Sequence, residues 1–462
     1  MSKVSFIGEF EIADKELREK FNRLKQFQNQ PKKYGKINLP EDFDTMDFNI
    51  YRGIDGMIYD DLDLSKYDTT NIIYVNRDTG NDETGTGTSD TPFKTIKAAL
   101  NYIATLEGET YKIVCQTYRF FRNEFYTETQ ASSMYTMNKN IIIEPEDSTK
   151  RILVSTDQSN LTWTKQSNGV WLTNRSSVYK IYDMSEKDGF GCFKELQKVD
   201  YLEDCVNTRN TYYINGSSVY LNTKDGEMPT IDTYLMTLVL YIGGLSLENN
   251  NFLRLKNIDF YPAGVIHLQN GSTNFENTLI CENVRIFGNN SQNAFDIDNI
   301  KKVYMLECVC GKSYMDGFNY HYQGMTSEEI KKCFVYERNC ISYENGLKYD
   351  ETICNCSTTH EGIKSLRVNG IYQNSNGPVI ADINDPYSIL YNCKIIQEYD
   401  RKALSFESTD DALTGKAILV DCESVQYQDL SLNGTTGFNI ELKNFYGNYA
   451  NESLNISEYK EV

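Results

Sequence analysis

The stretch LRLKNIDF, Leu253 to Phe260, sets a pattern that returns six times further along the chain. The later copies are LICENVRI (Leu279–Ile286), YMLECVCG (Tyr304–Gly311), EIKKCFVY (Glu329–Tyr336), ICNCSTTH (Ile353–His360), LYNCKII (Leu390–Ile396) and LVDCESV (Leu419–Val425). Aligning them on Asn257, Asn283, Cys308, Cys333, Cys356, Cys393 and Cys422 gives steps of 26, 25, 25, 23, 37 and 29 residues. A period of this size marks a solenoid, in which each coil buries a face that it cannot bury alone. The segments are short, rich in β-branched and aromatic residues, and close to Asn-Gly or Asp-Gly turns, so the coils are built of strands. Parallel strands joined by short turns, with like residue stacked on like, describe a parallel β-helix. The rival, a large β-sandwich, seldom aligns one residue type through six steps. The expectation is therefore an all-β solenoid with the seven aligned residues in one stacked column.

Composition narrows the surroundings. The 462 residues carry a formal charge of −19, which argues against general affinity for nucleic acid or an anionic membrane. No run approaches the roughly 18 apolar residues that cross a bilayer, and MSKVSFIGEFEIADKELREK lacks the basic-then-apolar layout of a secretion signal. Folding in the cytoplasm of the producing cell is expected. Of 12 cysteines, Cys281, Cys308, Cys333, Cys356, Cys393 and Cys422 fall within the repeats, where a reduced thiol packs as a small apolar residue. The pairs Cys308/Cys310 and Cys354/Cys356 lack the further Cys or His partners of a structural zinc site, so no metal and no cofactor is expected. The 34 Tyr and 22 Phe suit carbohydrate or protein contact, or simply strand propensity.

Five regions follow from the pattern. Residues 1–70 lie outside the repeat: Ala13 to Gln30 reads as a helix with Leu17, Phe21, Leu24 and Phe27 on one stripe, and the remainder reads as an extended adaptor rather than a packed unit. Residues 71–149 open the solenoid with the strand Ile72–Asn76, a turn-rich loop and a helix ending near Leu106. Thr91 is its expected cap, and Ile96, Ala99, Leu100 and Ile103 form its buried face. Residues 150–230 interrupt the repeat with hairpins turning at Asn168-Gly169 and Asn215-Gly216, an inserted side domain. Coils resume over 231–445, and 446–462 form a polar tail.

The opening IIYVN…DTGND…G…TPFKTIKAAL resembles the first strand and capping helix of right-handed parallel β-helix proteins of the pectin-lyase-like kind. DGFNYH (Asp316–His321) and STTHEG (Ser357–Gly362) resemble segments of β-helix proteins in phages and gut bacteria, and the likeness runs over about residues 72–425. It implies a phage tail appendage of the tailspike class. Such a chain is a homotrimer, joined to other tail or baseplate proteins through its N-terminal segment, carried in the virion and bound to host cell-surface polysaccharide. A free polysaccharide lyase or glycoside hydrolase, and a purely structural virion part, are the other readings.

The chain has three histidines, and two of them sit near carboxylates. Coils stack about 4.8 Å apart, so His321, His360, Glu361, Arg367 and Asp382 are expected to share one wall. Glycoside cleavage needs two carboxylates at a set separation; lyase chemistry needs a base and a cation to hold a uronate. Glu361 and Asp382, with His321, His360 and Arg367 in support, are the candidate catalytic groups for either. Glycan binding without cleavage, and plain turn or wall roles, stay open; the Gly after Asp316 and Glu361 is what a tight turn would show. His267 reads as a packed strand residue. The polygalacturonase pattern and a pectate-lyase calcium site are both missing.

Overall fold

A computed structural model describes residues 35–43, 46–121, 135–156, 158, 160–238, 244–247, 250–261, 266–270, 276–288, 293–347, 353–408, 415–426, 432–447 and 455–459. The expected helix over Ala13–Gln30 lies outside them.

The chain is a parallel β-helix of three long sheets. Sheet 1 has twelve strands, from Ile72–Val75 to Asn455–Glu458. Sheets 2 and 3 have nine each, ending at Glu423–Gln426 and Leu432–Gly434. Successive coils pair in parallel and in register, as in Val303↔Val335↔Ser365↔Ser388↔Ala417 of sheet 1. One apolar core fills the interior, with Leu255, Cys281, Met305, Val335, Leu390 and Leu419 from sheet 1 and stacked Phe295 and Phe318 from sheet 3. All twelve cysteines are buried thiols. Among the described residues no helix is long and apolar enough to cross a membrane.

The stacked column differs from the expected one. From the strand Phe252–Lys256 onward, the corner after each sheet 1 strand through Asn439–Lys443 is turned by one residue with φ between 50° and 58°: Asn257, Asn283, Glu307, Asn339, Asn369, Asn392, Asp421 and Asn444. Asparagine suits this left-handed conformation better than most residues because its short amide bonds locally. Here the amides also bond from coil to coil, with Asn283 Nδ2 donating to Asn257 Oδ1 at 2.7 Å and Asn392 Nδ2 to Asn369 Oδ1 at 2.8 Å. Cys308, Cys340, Cys393 and Cys422 occupy the next position, point inward, and donate their thiols to backbone carbonyls. Asn257 and Asn283 therefore stand one residue out of step with Cys308, Cys393 and Cys422. Cys333 lies just before the sheet 1 strand Phe334–Arg338, and Cys356 just before the sheet 3 strand Ser357–Thr359, at other corners.

The first coil is closed by the helix Ile96–Ala104, which buries Ile96, Ala99, Leu100 and Ile103 as its periodicity predicts. Its cap is Thr95, not Thr91: the Thr95 hydroxyl accepts from the Ala98 amide at 3.1 Å, and Asp82 in turn receives the Thr95 amide and hydroxyl. Thr91 belongs to the preceding loop, where its hydroxyl meets those of Thr86 and Thr88.

Two outer faces of the solenoid are covered by the chain itself. Sheet 1 presents Tyr304, Phe334, Tyr336, Leu366, Ile389 and Ile418 outward, and residues 35–67 lie over them with Ile37, Phe43, Phe48, Ile50 and Ile58. This N-terminal segment forms a three-stranded antiparallel sheet (Gly35–Ile37, Ile50–Arg52, Ile58–Asp60). It docks on the corner ladder, where Asn369 takes the Ile58 amide at 3.0 Å and donates to its carbonyl at 2.7 Å. It is a packed strap, contrary to the expected extended adaptor, because sheet 1 is apolar on both faces and needs a cover. Sheet 2 presents Tyr261, Phe287, Val309, Ile341 and Tyr343, met by Tyr182, Cys192, Phe193 and Leu235. Tyr182, Phe193 and Leu235 belong to a three-stranded sheet of the insertion, with Cys192 just before one of its strands, and a second, five-stranded sheet completes the insertion. Ile152–Ser155 is a sheet 2 strand, so the insertion starts after it and runs through Leu238.

Removing a buried Phe costs about 3–5 kcal/mol, so Phe43→Ala should lower the unfolding free energy by that much, read as a fall in the denaturant midpoint. A chain beginning at Asn71 should self-associate through the bared face of sheet 1. A monomeric truncated chain with an unchanged midpoint contradicts the strap.

Candidate functional site in the groove of sheet 3

Five consecutive sheet 3 strands carry the quartets Phe295–Asp298, Phe318–His321, Ser357–His360, Ile380–Ile383 and Leu404–Glu407, which pair in register. Alternation sends the first and third residue of each inward and the second and fourth outward. The outward columns are Asp296, Asn319, Thr358, Ala381 and Ser405, and Asp298, His321, His360, Ile383 and Glu407. They floor a groove of about 1160 Å³ whose rims include Met315, Asp316, Ile353, Asn376, Pro378 and Arg401. Unlike the faces of sheets 1 and 2, this one is left uncovered by the described residues and is mostly polar.

The five expected site residues separate. His321 and His360 both face the groove and stack, ring centroids 3.8 Å apart. Glu361 opens the turn that leaves the strand, with φ of 60° at Glu361 and 79° at Gly362. Its side chain swings back to the histidines: Oε2 accepts the Tyr322 amide at 2.8 Å, and Oε1 stands 3.7 Å from His321 Nδ1, an ion-pair distance beyond hydrogen bonding. Burial pulls the His321 pKa down, but Glu361, with Asp298 and Asp296, holds it above the usual value. Burial and the neighbouring His321 push His360 down to about 4. Burial pushes the Glu361 carboxyl up, yet His321 and the Tyr322 amide bring it below its usual range.

Arg367 and Asp382 are elsewhere. Both are fully buried inside the solenoid, bonded through Arg367 Nη1 to Asp382 Oδ2 at 2.7 Å and Nη2 to Oδ1 at 2.9 Å. Asp382 is the third residue of its quartet and so points inward; Arg367 alternates inward from sheet 1. Buried Glu337 completes the cluster, its Oε1 3.4 Å from Arg367 Nε and its Oε2 accepting the Tyr372 hydroxyl at 2.7 Å. Neither Arg367 nor Asp382 reaches the groove, which removes them as substrate-contacting groups. They act on the site from below. Ser357 donates to Glu337 at 2.7 Å, and the Thr359 amide and hydroxyl donate to Asp382 at 3.0 and 2.7 Å. Both inward residues of the strand bearing Thr358 and His360 are thus clamped.

The sequence reading passed over Asp296 and Asp298, and it named Asp316 without including it among the candidate catalytic groups. Lining up FDID, FNYH, STTH, IADI and LSFE would have found the first two and excluded Asp382. Asp316 ends the loop before its strand: its backbone amide donates to Asn293 Oδ1 at 3.0 Å, while Asn293 Nδ2 donates to Asp296 Oδ1 at 2.8 Å. The Asp316 carboxylate accepts the Asn355 amide at 2.5 Å and Asn319 Nδ2 at 2.6 Å. Burial nevertheless pushes its pKa up to about 6. The following Gly317 is there for close packing, since a Cβ would stand 2.2 Å from Ser342 Oγ and 2.5 Å from the Cys356 carbonyl oxygen. His267 falls in register with Asp296.

No protein-family model matches the chain, and no curated protein matches it. Among solved structures, a chain described as "Glycoside hydrolase" is 9% identical with a TM-score of 0.39, covering 84% of this chain and 96% of that one. A GH136 lacto-N-biosidase from Eubacterium ramulus is 11% identical with a TM-score of 0.29, covering 84% of this chain and 68% of its own. Likeness of this degree carries no argument about activity.

The buried triad yields a prediction. Burial pushes the Asp382 carboxyl up, but Arg367 with Ser388 and Thr359 holds it below its usual 3.8. Its stabilising contribution is present above that unfolded value and is lost as pH falls through the lower folded one. Asp382→Asn removes the carboxylate bonded twice to Arg367 and leaves it only the longer Glu337 contact, so it should cost about 3 kcal/mol and flatten the acid end of the stability curve. A variant as stable as the parent at neutral pH contradicts the clamp.

Proposed function

We propose that the protein is carbohydrate-active and takes a glycan along the open face of sheet 3, with Asp316 as proton donor and Asp296 as the second carboxylate of a hydrolytic pair. One observation carries this reading: two faces of the solenoid are apolar and covered by the chain's own segments, while the third is polar, grooved and uncovered among the described residues. A volume of about 1160 Å³ exceeds most small-molecule pockets and suits several sugar rings. A carboxyl raised to about 6 beside a second carboxylate is how a glycosidase separates its acid from its base or nucleophile. Asp316 would give its proton to the departing glycosidic oxygen, and Asp296 would act on the opposite side, through water or directly.

The groove speaks for a neutral glycan over a uronate. Asp296, Asp298, Asp316, Asp400 and Glu407 line it, against Arg401 and Lys402. The cation that a lyase would use to hold a carboxylate, Arg367, is inside the core. The resemblance of the opening motif and of DGFNYH and STTHEG supports a finer setting, a trimeric phage tail appendage meeting host surface glycan. In that setting the subunits must associate without closing sheet 3.

Neutral capsular and cell-wall polysaccharides, scored for binding and product release, test the reading. Asp316→Asn should retain binding and lower cleavage by about 10²-fold or more. Around Asp316 stand Asp296, His321 and Cys354, and cleavage should fall as pH rises through about 6 and Asp316 loses its proton. Undiminished cleavage by the variant removes Asp316 from the mechanism, and cleavage confined to uronate polymers overturns the choice of glycan.

A further inference from the structure

His321 and His360 lie one above the other on adjacent strands, their rings tilted by 24°. One donor atom from each, and one from Glu361, fall within 4.8 Å of one another. His321 Nδ1 is buried and has no hydrogen-bond partner. Glu361 divides its oxygens, with Oε2 held by the Tyr322 amide and Oε1 turned to His321. His360 Nε2 has only a long contact, 3.4 Å, to the Thr358 hydroxyl.

We infer that His321, His360 and Glu361 form a site for one divalent transition-metal ion of the zinc class, opening into the groove of sheet 3. Two imidazoles and a carboxylate are a zinc-type donor set, whereas calcium and magnesium take oxygen ligands. Donors that share one zinc at about 2.0–2.1 Å stand roughly 3.3 Å apart, so the three must draw together from within 4.8 Å, and the stacked rings must tilt out of their 24° alignment to aim both lone pairs at one ion. Three protein ligands leave a fourth position for water or a ligand hydroxyl, and both histidines line the groove from which it would come. The electrostatics agree. Asp298 pairs in register with His321, and Asp296 lies two residues before it, so negative charge surrounds the site. Arg401 and Lys402 lead into the strand two places beyond His360, about 10 Å away by strand spacing. Cysteine spacing gave no hint of such a site, because its ligands are two histidines 39 residues apart that only the coil register unites. The assignment concerns the ion and stands whether or not the groove takes a glycan.

The test is titration of the full chain, stripped with chelator and dialysed, using Zn²⁺ alone in a calorimeter and Co²⁺ alone in a spectrophotometer. One equivalent of Zn²⁺ should bind and raise the melting temperature. Co²⁺ should give the visible bands of a low-coordinate nitrogen–oxygen site with no sulfur-to-metal charge-transfer band. Glu361→Gln should weaken Zn²⁺ by more than about tenfold, since even outer-shell changes can cost that much. His321→Ala with His360→Ala should abolish uptake, and Glu361→Gln, on a turn, keeps the test decisive should that pair unfold the chain. Absence of stoichiometric Zn²⁺ uptake, uptake unchanged in Glu361→Gln, or a thiolate band that assigns the ion to cysteines would each overturn the site.

Discussion

From Asn257 to Asn444 each coil leaves sheet 1 through one residue held in the left-handed conformation, and the register of those coils depends on that bend. The conformation costs an ordinary L-residue roughly 1–2 kcal/mol. Asparagine lessens the cost, and amide bonds between Asn257 and Asn283, and along Asn339, Asn369 and Asn392, return about 1 kcal/mol each. Because the bend falls at the same place in each coil, the next residue always points inward and the core stacks like on like. The same register aligns the outward columns of sheet 3. Asp298, His321 and His360 are neighbours for the reason that Asn283, Glu307, Asn339 and Asn369 are.

The three sheets divide the remaining work by what their outer faces carry. Sheet 1 is apolar on both sides and is stable in water only under the strap of residues 35–67. Sheet 2 is covered by Tyr182, Phe193 and Leu235 of the insertion. Sheet 3 keeps polar residues outside, and the described residues leave its groove uncovered. The buried triad and Tyr372 together link all three: Glu337 and Arg367 come from sheet 1, Asp382 from sheet 3, and Tyr372 from sheet 2. A buried ion cluster is a weak source of net stability. Its contribution here is geometric, since it fixes the inward residues Ser357 and Thr359 and so sets Thr358 and His360 above them.

The solenoid was legible in the sequence because few folds besides a coil stack repeat short apolar strands every 23 to 37 residues. The capping helix was legible from the spacing of Ile96, Ala99, Leu100 and Ile103. The column was misaligned by one residue at Asn257 and Asn283 because the bend and the position after it are filled by two look-alike sets, Asn in some coils and Cys in others, and by a whole corner at Cys333 and Cys356, which stand before other strands. Glu307 and Asp421 at the bend hid the true ladder. The strap was missed because its partner is not local: YML, FVY and SIL read as core strands, and only their two-sided apolar character shows that a cover is needed. His321 and His360 were legible as neighbours. Asp382 and Arg367 were drawn into the same site by proximity in sequence, although alternation within IADI and SLRV turns both inward.

The central claim, that sheet 3 is the ligand face, is tested most directly by a crystal structure with a neutral oligosaccharide that the chain binds. The account predicts sugar rings lying along the outward residues from Asp298 to Glu407, with a glycosidic oxygen within reach of Asp316. Sugar bound instead on the inserted domain or the strap, with the sheet 3 groove empty, would contradict it.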